Sequence, residues 1–297
     1  MTEARVRAAV RAPAPLPAGI ETVTIPDLSA GVDWSGALRD VDVIVHLAAR
    51  VHVMRDTERD PLAAFRNTNV NGTLALARAA ARAGVRRFIY LSSIKVNGEG
   101  TDEGKPFRAQ DPPNPLNPYA VSKLEAEQGL AEISVPGSMQ YVIIRPPLVY
   151  GPGVRANFRS MMRWVQRGVP LPFGSIANRR SLVARPNLVD LIVTCLEHPA
   201  AANQTFLVAD GEDLSTTELL RRIGRAMNHP ARLLPIPPGL LKSLATLLGR
   251  RDVALRLCDS LQVDIAATQR LLGWHPPVSV DVALRETAED FLHGAGG

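Results

Sequence analysis

The chain has 297 residues, 46% of them hydrophobic and 21% charged, with a net charge of +5; it is long enough for one large domain or for a domain with a smaller lobe, and its composition is ordinary for a globular protein. Its two cysteines, Cys195 and Cys258, lie far apart in sequence, which argues against a disulfide framework or a cysteine-ligated metal site and predicts a cytoplasmic protein without a metal. Basic residues are scattered and aromatics make up 5%, a pattern that speaks against a nucleic-acid groove and suits a small polyanionic substrate.

In chain order, Ala4–Arg11 and Ile20–Ile25 read as short strands. The arginines and prolines among the first twenty residues interrupt any apolar core, so no signal peptide is expected there. Val41–Leu47 is a nearly continuous apolar run, as expected for a strand covered on both faces. Pro61–Gly84 has helical periodicity through Leu62, Phe65, Val70, Leu74, Leu76 and Ala80. Strand Arg87–Leu91, a polar loop, a helix over Pro118–Ala131 and strand Gln140–Arg145 follow. Strands alternating with helices specify parallel pairing through right-handed crossovers, hence an α/β fold with a doubly wound, Rossmann-type sheet over residues 1–150. After Pro146 short helices and prolines dominate, with one clear strand at Thr205–Val208 and a closing helix at Val280–Leu292. Residues 151–297 are expected to form a smaller substrate lobe, partly interleaved with the first domain. The longest apolar stretch, Leu233–Gly249, is broken by Pro235, Pro237, Pro238 and Lys242. Its segment Leu240–Leu248 is expected to pack as a helix on its own domain rather than on a membrane surface, and no membrane partner is expected.

The sharpest chemical signal is Tyr119-Ala-Val-Ser-Lys123, at the start of a predicted helix behind the breaker-rich stretch Pro112–Pro118. Residues four apart share a helix face, so phenol and ammonium can converge on one point. A tyrosine needs such help near neutral pH, because its ordinary pKa is about 10; a nearby cation stabilises the phenolate. Ser93 ends a predicted parallel strand, the edge at which ligands bind, and its hydroxyl can bond the substrate oxygen whose proton Tyr119 exchanges. With four tyrosines and four lysines in the chain, chance matches to this spacing number about 0.05.

At these residues the chain resembles the extended short-chain dehydrogenases, specifically the NAD-dependent epimerase/dehydratase family acting on nucleotide sugars. His46-Leu47-Ala48-Ala49 resembles the strand end along the cofactor, and Asn69-Val70-Asn71-Gly72-Thr73 the helix motif whose first asparagine helps to fix the cofactor site. Ser93, Tyr119 and Lys123 match the catalytic set, and Arg145-Pro146-Pro147 the start of the turn into the substrate lobe. The resemblance implies NAD or NADP contacts at Arg11, Asp27, Leu28, Leu47, Ala48, Ala49, Asn69, Tyr119, Lys123 and Pro146. It also implies substrate contacts at Ser93, Lys95, Asn157, Leu171, Phe173 and Arg180. An arginine suits a substrate diphosphate because its planar donors match phosphate oxygens. Arg11 stands where an acidic residue binds the ribose of NAD, and an arginine there can favour NADP. A homodimer through the Pro61–Gly84 and Tyr119–Ala131 helices is likewise implied.

The family opens with a strand and a Gly-x-x-Gly-x-x-Gly turn that cradles the pyrophosphate. No such turn stands in the sequence: Gly98, Gly100 and Gly104 lie among Glu99, Asp102 and Glu103 and lead into Lys105-Pro106 rather than a helix. The resemblance starts at the family's second strand, so roughly thirty family residues, about one strand–turn–helix unit, are expected to lie outside the chain. A late start site or a truncated gene copy would account for that; if the element is truly absent, weak or no dinucleotide binding is expected. Among the family's reactions, dehydration is disfavoured, because Ser93 is followed by Ile94-Lys95-Val96-Asn97 and not by an acid pair. UDP-sugar 4-epimerisation and reduction of a UDP-4-keto-6-deoxy-HexNAc both remain open, as steps in surface-polysaccharide sugar synthesis. So does a binding role for a catalytically impaired paralogue.

Overall fold

The computed structural model describes residues 5–13, 15–51, 60–134, 139–247, 249, 255 and 257–294. Ala4 of the first predicted strand and Leu248 of the predicted Leu240–Leu248 helix lie outside these residues. Two compact units interleave along the chain: the first takes Met1–Val96, Pro113–Arg145 and Cys195–Thr205, the second Asn97–Pro112, Pro146–Thr194 and Phe206–Gly297.

The first unit carries strands β1 (Arg7–Val10), β2 (Glu21–Thr24), β3 (Val43–His46), β4 (Arg87–Leu91) and β5 (Gln140–Arg145). β1 and β2 form a parallel pair, and β3, β4 and β5 lie side by side in parallel, with β8 (Gln204–Leu207) joined beyond β5. Among the described residues the sheet is therefore in two pieces, and β1 and β3 each have one strand neighbour. The break separates the β1–β2 pair from β3. It leaves β3 half-covered, with Val45 36% exposed and Leu47 56% exposed, although the apolar run predicts burial on both faces.

The predicted Pro61–Gly84 helix is continuous but not uniform. It runs as α1 (Pro61–Phe65), a π-helical stretch Arg66–Gly72 and α2 (Thr73–Arg82). Asp60 caps it by accepting from the Ala63 N–H at 3.0 Å. The wider turn brings Gly72 against the backbone of Leu28: a Cβ there would stand 2.6 Å from the Leu28 carbonyl oxygen, so only glycine fits. The core behind the sheet joins Leu28, Trp34, Leu76, Phe88, Tyr90, Leu130 and Ile143. α3 (Pro118–Ile133) packs along it, with Asn117 capping through the Ala120 N–H at 2.9 Å and proline in the first turn.

The second unit is richer in strands than its sequence shows. It holds β6 (Leu148–Tyr150), β7 (Arg180–Ala184) and β9 (Asp213–Leu214), in the order β6-β7-β9. These strands are only two to five residues long, too short for alternation to register. Helices α4 (Ala156–Gln166), α5 (Arg185–Glu197, its last turn counted with the first unit), α6 (Thr216–Ala226), α7 (Pro238–Leu247), α8 (Ala266–Leu272) and α9 (Val280–Gly294) complete it. Its core gathers Phe158, Met162, Leu171, Leu182, Leu220, Leu284 and Phe291. None of the residues of α7 is buried.

Candidate active site

The site is built at the carboxyl ends of the parallel strands, where unpaired backbone groups and helix starts converge. β4 is anchored at its base by Arg87, whose guanidinium donates to the Cys195 and His198 carbonyls at 2.7 and 3.0 Å and to Gln140. At its far end the Ser92 N–H donates to the Ile144 carbonyl at 2.8 Å, and the chain turns through a short helical stretch, Ile94–Val96. That turn holds Ser93, whose Oγ accepts from the Lys95 N–H at 3.3 Å and whose hydroxyl, facing the Tyr119 phenol, pulls the phenol pKa down.

Tyr119, Lys123 and Glu127 succeed one another at intervals of four along α3 and so form one stripe. Lys123 is 2% exposed; its Nζ donates to the Leu91 carbonyl at 2.8 Å and lies 4.5 Å above the ring of Tyr90. Tyr90 in turn stacks against His46 with ring centres 5.8 Å apart, and His46 shares a 2.9 Å hydrogen bond with Thr73. Burial pulls Lys123 down to about 7, opposed by the negative charge of Glu127. Burial, helped by the Lys123 cation, pulls His46 down to about 3, so its imidazole is neutral at physiological pH. Tyr119 is pushed above its ordinary value by burial, against the pull of the Ser93 hydroxyl. The sequence argument had the lysine lowering the tyrosine directly. The geometry instead gives Lys123 to Tyr90 and Leu91, and desolvation outweighs the help Tyr119 receives.

Glu127 was not singled out in the sequence, although the four-residue spacing pointed to it. It is 4% exposed and accepts two bonds from Arg145, at 3.0 and 2.6 Å, and one from the Ser92 hydroxyl. The pair ties the catalytic helix to the end of β5 and leaves neither buried charge uncompensated. Asn69, 1% exposed in the π-helical stretch, works the same way. Its Oδ1 accepts from the Arg50 N–H at 2.8 Å, and its Nδ2 donates to the Arg50 carbonyl and to Ser122 Oγ, both at 3.0 Å. Ser122 donates onward to the Tyr119 carbonyl at 2.8 Å. The segment after β3 and the first turn of α3 are thereby bolted together through one side chain.

The other residues the resemblance points to are distributed as follows. Arg11, Asp27, Leu47 and Ala48 are exposed, Ala49 is half-buried and Pro146 is buried. Arg11, Leu47 and Pro146 directly follow the last residues of β1, β3 and β5, and Asp27 follows β2 by three residues. Leu28 spends its side chain in the core, so only its backbone is left for a ligand. Lys95 is half-buried. In the second unit Asn157 is exposed on the first turn of α4, Phe173 is half-buried, and Leu171 belongs to the core at 5% exposed. Arg180 opens β7 and donates from Nη1 to the Asp259 carbonyl at 2.9 Å. Burial lowers its guanidinium pKa, against the charges of Asp259 and Glu99.

Known proteins are similar to this chain in sequence and in fold. The chain is 50% identical over 269 residues to a UDP-glucose 4-epimerase of Vibrio cholerae, covering 90% of this chain and 82% of that one. It is 31% identical over 269 residues to a UDP-glucose 4-epimerase of Mycolicibacterium smegmatis, covering 87% and 79%. Among solved structures, MoeE5 in complex with UDP-glucuronic acid and NAD has the same fold, with a TM-score of 0.77 at 22% identity over 98% of this chain and 91% of that one. Residues 3–209 match the profile of the NAD dependent epimerase/dehydratase family. With that match over most of its length, the chain belongs to the NAD dependent epimerase/dehydratase family.

Proposed function

We propose that the chain is a UDP-sugar 4-epimerase that uses NAD and carries its chemistry on Ser93, Tyr119 and Lys123. The observation that carries the reading is the juxtaposition of the Ser93 hydroxyl and the Tyr119 phenol at the end of β4, with the buried Lys123 one helical turn behind. The curated Vibrio cholerae relative supports the substrate class. The residues present suit part of the cofactor: Val45 and Leu47 leave apolar surface bare on and just after β3, near the carboxyl ends of parallel strands where dinucleotides lie, and Arg11 and Asp27, after β1 and β2, are exposed. Leu47, Ala48, Ala49, Asn69, Pro146 and the Leu28 backbone would complete that site. NAD, when bound, supplies the acceptor and donor of hydride.

The chain's own residues handle position and protons. Ser93 holds the C4 oxygen of the sugar through its hydroxyl. Tyr119, ionised to its phenolate against the cost of burial and with the help of the nearby Lys123 cation, takes the proton from that oxygen as the C4 carbonyl forms and, as the phenol, returns it when hydride comes back to the opposite face. Lys123, with a pKa near neutrality, provides a cation that is adjustable in the pH range of turnover. Arg180, Asn157, Leu171 and Phe173 are assigned to the nucleotide diphosphate and base, and Lys95 to the sugar. A cytoplasmic homodimer serving surface-polysaccharide synthesis is part of the same reading.

The test is to incubate the purified chain with excess NAD and UDP-glucose or UDP-GlcNAc. Interconversion with the 4-epimer and no net change at the reduced-nicotinamide band is expected. Consumption of reduced nicotinamide with a UDP-4-keto sugar, and no epimerisation, would instead assign the chain as a 4-ketoreductase. Undiminished turnover by Tyr119→Phe would sink both.

A further inference from the structure

Lys123 is a cation taken out of water, and the groups that hold it there belong to adjacent residues of β4. Its side chain reaches from α3 to the end of that strand, where Nζ donates to the Leu91 carbonyl at 2.8 Å and stands 4.5 Å from the centre of the Tyr90 ring. Lys123 is 2% exposed and Tyr90 is fully buried, so solvent screens the pair little. Side chains alternate across a strand, and Phe88 and Tyr90 both turn to the core shared with Ala126 and Leu130 of α3.

The carbonyl alone does not account for a charged lysine at this depth. Burial favours the neutral amine, and it pulls Lys123 down to about 7. An ammonium has three N–H donors, of which the Leu91 carbonyl takes one. Around this end of β4, Arg50, Arg66, Lys95 and Arg145 carry its own sign. His46 is held neutral by burial at physiological pH, with a value of about 3, and the Tyr119 phenol is pushed upward. Glu127 is the anion coupled to Lys123, but Arg145 and Ser92 take both of its oxygens. What remains is the face of the Tyr90 ring. Its quadrupole attracts a cation, and most strongly where both are desolvated.

We infer that Tyr90 is a positioning residue for the chemistry proposed above: its ring face is the seat that keeps the Lys123 ammonium charged and held to the Leu91 carbonyl, one turn behind Tyr119. The catalytic meaning of the seat rests on the epimerase reading; the seat itself does not. The chain has four lysines, Lys95, Lys105, Lys123 and Lys242, so NMR of the full chain isotope-labelled at lysine Cε resolves them, and Lys123→Met identifies the buried one. Its titration midpoint reads the seat without substrate or cofactor. Tyr90→Phe keeps the ring and should leave the midpoint within about 0.3 unit of wild type, whereas Tyr90→Leu should lower it by about one unit. A trifluorinated phenylalanine at position 90 drains the ring face at nearly constant size, and should lower the midpoint in the same sense even if the leucine variant does not fold. In the epimerisation assay the alkaline limb of the rate should move down by the same interval, because a neutral Lys123 no longer assists the phenolate. A space-filling role predicts the opposite sign for Tyr90→Leu, since a gap beside Lys123 admits water and raises the midpoint toward 10.5. A midpoint that rises or stays put in both ring-altering variants would overturn the inference. A lowered midpoint in a chain that turns over no UDP-sugar would keep the seat and remove the reading it serves.

Discussion

Helices α3 and α7 break the same rule in opposite directions. α3 buries charge: Lys123 and Glu127 are 2% and 4% exposed. α7 exposes apolar surface and half-buries its lysine. The difference lies in compensation. Every charge that α3 takes out of water finds a partner on a neighbouring strand: Leu91 and the Tyr90 ring for Lys123, Arg145 and Ser92 for Glu127. The leucines of α7 have no such counterpart among the described residues of their own unit, since no residue of the helix is buried. A compensated departure from the polar-out pattern marks a site whose chemistry is assembled within the fold. An uncompensated one leaves apolar surface bare.

The largest effect should come from breaking the chemistry of α3 while leaving its packing alone. Tyr119→Phe removes only the phenol oxygen that faces Ser93; it should lower the rate of 4-epimerisation by about 10³, in the range of general acid–base catalysis. A coupled assay for the epimer checks the rate, and a urea melt should show little change. The compensation itself is tested by Glu127→Ala, which strands the Arg145 guanidinium in a site where it is 6% exposed. Stability should fall by about 3–5 kcal/mol in urea unfolding. Replacing both partners, Glu127→Leu with Arg145→Met, should recover most of that loss, because the uncompensated charge is what costs.

These contrasts also show what the sequence makes legible. The strand–helix rhythm, the cluster of Ser93 with Tyr119 and the capped start of α3 follow from local pattern and spacing, which one chain records in full. The partner of Lys123 does not, because Tyr90 reaches it from a strand and no periodicity links the two residues. The network of Asn69, Arg50 and Ser122 depends on a π-helical turn, which the apolar spacing of Leu62 to Ala80 does not reveal. Leu171 was expected at a substrate and Leu28 at a cofactor, yet both side chains sit in the cores of their units. A motif fixes a residue's place along the chain but not the direction of its side chain. α7 rests on its unit through the half-buried Pro238, Leu241, Lys242 and Ala245 and the Lys242–Asp259 pair, but its wheel did not show that Leu240, Leu244 and Leu247 would be left on the exposed side.

A smaller effect separates the titrating member of α3 from its neighbours. Lys123 has an ordinary value of 10.5 and is held at about 7 in the fold. Between those values the unfolded chain binds a proton that the folded chain does not, so stability should rise with pH across that window. Below about 7 the full cost of the buried cation is present. Lys123→Met should therefore be more stable than wild type by a few kcal/mol near pH 6, with the advantage fading toward pH 10.5. His46 acts in the same sense, but from about 3 to its ordinary 6.5, so the two contributions occupy different parts of the pH axis. Urea melts from pH 4 to 10 would resolve them, and a flat difference between Lys123→Met and wild type would mean that the lysine is hydrated in solution.

The smallest effect is expected on α7, and its smallness is the informative part. Leucines that support a core lose about 2–5 kcal/mol when truncated, because contacts and burial vanish together. Leu240, Leu244 and Leu247 are more than half exposed already, so a polar replacement removes little that the fold uses. Each single change to serine should shift stability by no more than about 0.5 kcal/mol, measured by urea unfolding without lipid. Serine's weaker helix preference sets the direction of what remains. A loss of 2 kcal/mol or more at Leu244 would show that the stripe is covered within the protein in solution, and α7 would then join α3 as a compensated helix. A negligible loss would show that the exposed faces of Leu240, Leu244 and Leu247 contribute nothing to the fold.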